Sequence, residues 1–154
     1  MGLVSAFFSE AQNIVKPPLY QNMDSYNVLL KKLAPEFSSV LDDPALKNYF
    51  NFVLLSFEIS ENDIIQNIIF SKDFPLKIQK SISTILLASN SDWTSASING
   101  IKIKKRIVVP LIFEKGNGID KNFDMYQISE NLNIMESKSY DAIILPVEYF
   151  AIQQ

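Results

Sequence analysis

The stretch "PALKNYFNFVLLSFEI", Pro44 to Ile59, decides how this chain is read, because it holds a long, largely apolar run, Tyr49 to Phe57. Asp43 followed by Pro44 has the form of an N-cap and a first-turn proline. Leu46, Tyr49, Phe50, Val53, Leu54 and Phe57 then recur at helical spacing. Phe52 and Leu55 carry apolar character onto the opposite side, so the spacing predicts a central helix wrapped by neighbours on most sides.

Working outward, "SAFFSEAQNIV" (Ser5 to Val15) and "DSYNVLLKKL" (Asp24 to Leu33) are amphipathic helical segments separated by the extended "KPPLY", and Pro35 breaks the second. "SEND", Ser60 to Asp63, has capping-box spacing, and Ile64, Ile65, Ile68 and Ile69 behind it form a stripe that suits a short helix. A further helix is expected from Asp73 to Pro75 through Ile78, Ile82, Ile85 and Leu86 to about Ser89.

From Trp93 the period becomes alternating. Asn99-Gly100 is the favoured pair for a type I′ turn, since both positions need positive φ. The register that follows sets Ile98 against Ile101, Ser97 against Lys102, Ala96 against Ile103, Ser95 against Lys104 and Trp93 against Arg106. Further strands are expected at Phe123 to Ile128, Leu132 to Met135 and Ala142 to Ile152, with "EKGNGIDKN" (Glu114 to Asn122) as an exposed turn. "IVVPLIF", Ile107 to Phe113, is apolar at every position and must be covered on both faces, while Pro110 removes one ladder donor and implies a bulge or a free edge. The expected fold is therefore α+β in a single domain over residues 1–154: about five helices in residues 1–90, packed on an antiparallel sheet of four or five strands from residues 91–154.

Composition narrows the function. The 154 residues carry 47% hydrophobic and 20% charged side chains with a formal net charge of −3, which suits a folded domain and argues against wholesale binding of nucleic acid. Histidine and cysteine are absent, which excludes Ser-His and Cys-His nucleophile systems, thiolate metal sites and disulfides. Glycines at 2, 100, 116 and 118 cannot form a P-loop, a GxGxxG turn or a GxSxG elbow. "DKNFD", Asp120 to Asp124, opens like a calcium loop, but Met125 and Asn131 occupy the positions of the required Gly and Glu. No run is long enough to span a bilayer, and the N-terminus lacks the pattern of a secretory leader. These features point to a cytoplasmic protein without a cofactor.

The side chains singled out for partner binding are Trp93, Lys102, Lys104, Arg106 and Tyr149. The three cations alternate along one strand, about 7 Å apart, as a solvated face or a strip for an acidic partner or a phosphate, with Trp93 placed to stack on Arg106. "IMESK" sets Glu136 two residues before Lys138, with Asp120 or Asp124 upstream. That set resembles the acidic residue plus Glu-x-Lys arrangement of the restriction-type nuclease fold, and the resemblance implies Mg²⁺-dependent hydrolysis. The leading expectation is nevertheless a small acidic protein that binds another, basic protein, as an inhibitor or toxin-neutralising immunity protein. A structural subunit of a viral or secretion-type assembly is the alternative, and the nuclease is the second alternative.

Overall fold

Tyr49 to Ile59 is a strand. The computed structural model describes residues 15–16, 19–20, 23–46, 49–116, 142–145 and 147–152. In it β3 (Tyr49–Ile59) pairs antiparallel along its whole length with β8 (Lys105–Lys115), forming the middle of the main sheet. The apolar residues of β3 are buried on both faces, so their spacing fits either a buried helix or a buried strand, and the weight of Phe, Tyr, Val and Ile tips the outcome. Asp43 caps nothing helical: its Oδ1 accepts a hydrogen bond from the Ala45 amide in a local turn, 2.9 Å long.

The expected "SEND" helix is likewise a hairpin leading into β4 (Ile65–Phe70), antiparallel to β3. The Asp63 amide donates to the Ser60 carbonyl and Asp63 takes φ 64, a type I turn followed by a left-handed residue. Ser60 Oγ accepts from the amides of Asn62 and Ile64 inside the loop. The isoleucine stripe is β4, broken by a bulge where Asn67 adopts φ 50 and the register shifts between Ser56 and Glu58.

Two α-helices are present among the described residues, in place of about five. α1 (Met23–Leu41) runs through Pro35, which is exposed, as is Lys31; water can satisfy the carbonyl that the proline leaves without a donor. α2 (Leu76–Ala88) occupies the segment that the spacing predicts. Leu29, Leu33 and Phe37 of α1 and Ile78, Ile82 and Leu86 of α2 pack on one sheet face, against Val53, Leu55, Phe57, Ile107, Val109, Leu111 and Phe113. Shared burial of that apolar face is what joins helices to sheet.

The sheet is mixed, not antiparallel. β9 (Ala142–Ile144) and β10 (Glu148–Ile152) both run parallel to β8, so the expected single strand from Ala142 to Ile152 is split in two. Pro110 explains the split. Leu54 exchanges its backbone bonds with Ser71 on the far side, through Ser71 N to Leu54 O and Leu54 N to Ser71 Oγ. Its partner Pro110 is therefore in a non-hydrogen-bonded pair with β3 and turns its donor-less nitrogen toward the parallel strands. There β9 ends opposite Val108 and β10 begins opposite Leu111. The missing donor thus falls in the gap, and β8 needs neither a bulge nor a free edge at that point.

The hairpin keeps the expected turn. Asn99 and Gly100 have φ 51 and 82, and β6 (Ala96–Ile98) pairs with β7 (Ile101–Ile103) in the expected register. Beyond Ile103 the expectation fails: β7 stops, Arg106 of β8 pairs with Glu58, and Trp93 lies in β5 (Trp93–Thr94) beside Tyr20 of β2 (Leu19–Tyr20). β1 (Val15–Lys16) adds a third strand to the hairpin against β6. The expected helix in residues 5–15 lies outside the described residues except for Val15, as do the strands expected at Phe123 to Ile128 and Leu132 to Met135 and all of the turn beyond Gly116.

Candidate binding face

The cations singled out in the sequence meet carboxylates. Lys102 Nζ donates to Asp63 Oδ2 at 2.5 Å, Arg106 Nη2 donates to Glu58 Oε1 at 2.5 Å, and Lys104 stands 3.8 Å from Glu58 Oε2. Arg106 Nη1 also donates to Ser56 Oγ at 3.0 Å, and the bulge aims Asn67 Nδ2 at Glu58 Oε2, 2.6 Å away. Burial pushes the Glu58 carboxyl upward, but the bonds from Asn67 and Arg106 and the charges of Arg106 and Lys104 outweigh it and hold the group below its ordinary value. What alternation presents as an open strip is largely a set of closed ion pairs.

Asp63 is tied more tightly by bonds than by burial. Lys102, then the hydroxyl and the backbone amide of Ser95, both 2.7 Å from Oδ1, bring its carboxyl down from 3.8 to about 2. Because the folded value is depressed, this contribution is complete above the unfolded value near 4 and is lost as pH falls toward 2. Asp63→Asn, which retains the left-handed backbone preference, is expected to cost no more than about 1 kcal/mol at neutral pH, since the pair is open to solvent. Urea midpoints of the two proteins should converge when measured near pH 2.

Trp93 is a core residue. Its indole Nε1 donates to Ser89 Oγ at 3.0 Å, and its ring meets Phe57 edge-on at 5.3 Å. Tyr149 is different. The Phe150 ring stacks on Phe113 over the helical face, so strand alternation turns Tyr149 to the other face, where it is 54% exposed.

That second face is built by the even-numbered residues of β3 and β8. Phe52, Leu54 and Val108 are buried there, with Phe50, Ile112 and Ala142 packed on them. One end carries the satisfied Glu58–Arg106 pair. The other end carries Glu114, directly opposite Phe50 and Ala151. Glu114 is 8% exposed, and its Oε2 has no hydrogen-bond donor among the described residues. Along the parallel border Ile144, Val147 and Tyr149 are 64%, 53% and 54% exposed.

Glu58, Asp63 and Glu114 were missed as site residues by sequence reasoning. The cations that meet Glu58 and Asp63 lie far along the chain: the β3–β8 register brings Arg106 to Glu58, the hairpin strand β7 brings Lys102 to Asp63, and Glu114 is flanked by β3 on one side and β10 on the other. Asp124, Glu136 and Lys138, together with Asp120, lie outside the described residues. Among the described residues no three acidic side chains converge as a metal site, and no helix is long and apolar enough to cross a membrane. Comparison with protein-family models, curated proteins and solved structures finds no match for this chain.

Proposed function

We propose that this protein acts by binding another protein, a basic one, through the β9–β10 border of the second sheet face, in the manner of an inhibitor or an immunity protein. The observation that carries this reading is the row of exposed apolar side chains Ile144, Val147 and Tyr149 along that border. A solvent-facing tyrosine supplies the anchor chemistry of protein interfaces, and the aliphatic groups beside it help to exclude water around the anchor. Two further features support it. The cations that would grip phosphate are taken up by Glu58 and Asp63, and the chain carries 17 acidic against 14 basic side chains. Excess negative charge steers and orients a basic partner.

The test is affinity capture from the source cell, followed by titration of the purified partner. Tyr149→Ala with Ile144→Ser changes only side chains that are mostly exposed and should leave the fold intact. Its affinity is expected to fall about 30-fold or more, the effect of losing a tyrosine anchor. Equal affinity in the variant and the native chain contradicts this reading. Closed rings or tubes of this chain alone would instead favour the assembly-subunit alternative.

A further inference from the structure

We propose that Glu114 is the acceptor for a lysine or arginine side chain of the partner, held between Phe50 and Tyr149 at the end of the second sheet face. This rests on the binding reading above and names the chemistry of its central contact. Phe50 and Glu114 are directly opposed, and the alternation from Leu54 makes theirs a non-hydrogen-bonded pair, the kind in which side chains approach most closely. Ala151 flanks Glu114 from the other strand, and Tyr149 is its diagonal neighbour on the same face, within reach of an aromatic ring. Both Ala151 and Tyr149 are exposed at this border, whereas Oε2 itself is buried, so the incoming group must part the side chains that cover it.

The chemistry of the occupant follows from what is missing. A carboxylate oxygen taken out of water needs a donor, and removing its hydration without one costs several kcal/mol. Other comparably buried charges of this protein have theirs: Glu58 is met by Arg106 and Asn67, and Lys115 Nζ donates to the Asp43 carbonyl at 2.7 Å. Glu114 Oε2 has none among the described residues. A phosphate would be repelled, and an apolar side chain would leave the oxygen unpaired. A divalent cation would need several more oxygens than this carboxylate supplies. An ammonium or guanidinium group brings both charge and N–H donors, and the exposed ring of Tyr149 offers it cation–π contact.

The experiment uses the whole chain with ¹³C-labelled glutamate and tyrosine. Nα-acetyl-arginine methylamide is the probe, and the neutral isostere Nα-acetyl-citrulline methylamide is the control. The arginine probe is expected to move the Glu114 carboxyl and Tyr149 ring signals saturably, and citrulline to leave them in place. Glu114→Gln should weaken the probe about tenfold, the loss of one charge-assisted contact. No shift at Glu114, or equal shifts with citrulline, overturns the proposal, and this comparison needs no variant to fold. It is also overturned if Lys121→Met or Lys138→Met moves the Glu114 signal in the free protein, since the acceptor would then already hold a lysine of this chain. Should the captured partner bind Glu114→Gln as tightly as the native chain while Tyr149→Ala with Ile144→Ser loses it, the Glu114 assignment fails and the binding reading stands. If neither variant alters capture, both fail.

Discussion

Phe57→Ala is expected to lower the unfolding free energy by about 3–5 kcal/mol, the largest effect of any single truncation considered. Phe57 is fully buried in β3, meets Trp93 edge-on, and lies with Leu55 and Val109 under Phe37 of α1, where a small apolar void already exists. Truncation enlarges that void at the junction of both helices and the sheet, where close-packed neighbours relax only partly. A whole domain is stable by only about 5–15 kcal/mol, so the loss should be plain in urea unfolding as a lower midpoint with an unchanged slope. A loss below about 1 kcal/mol would mean that Phe57 does not hold the helices to the sheet.

Glu58→Ala is expected to cost about 3 kcal/mol, because it strands the Arg106 guanidinium at a site where both side chains of the pair are only 12% exposed. Ser56 Oγ would be the only partner left of the two given above for that guanidinium. The paired replacement Glu58→Leu with Arg106→Met should recover most of the loss, since removing both charges leaves neither unpaired. Measured as a double-mutant cycle with Glu58→Leu and Arg106→Met as the single variants, the two single costs should sum to well over the cost of the double. Simple additivity would show that the pair is open to water and contributes little.

Local chemistry made part of this fold legible. Asn99-Gly100 fixed its turn because only a few residues accept positive φ, and α2 followed from an apolar stripe with one polar side. β3 reads as a helix for a physical reason. A strand buried on both faces has no alternation, and its apolar residues also match a helical wheel; the choice is then made by pairing partners some fifty residues away. "SEND" illustrates the same limit, since a capping box and a type I turn with a left-handed residue draw on the same side-chain chemistry.

The candidate site was legible only in fragments. Tyr149 stands out in the sequence by its residue type, and the structure exposes it. The cations stand out too, but the carboxylates that neutralise them sit on and just beyond β3, in a stretch that reads as helix. Glu114 looked like the start of an exposed polar turn, whereas β8 continues through it to Lys115. Its burial depends on β3 and β10 lying on either side, which no local pattern announces.

The binding face exists only if β3 and β8 pair in this register, and Hα–Hα nuclear Overhauser effects test that most directly. Strong cross-peaks are expected for Phe50 with Glu114, Phe52 with Ile112, Leu54 with Pro110 and Ser56 with Val108, the non-hydrogen-bonded pairs of the ladder. Helical i to i+3 contacts across residues 49–59, with those four cross-peaks absent, would contradict the fold and the site built on it.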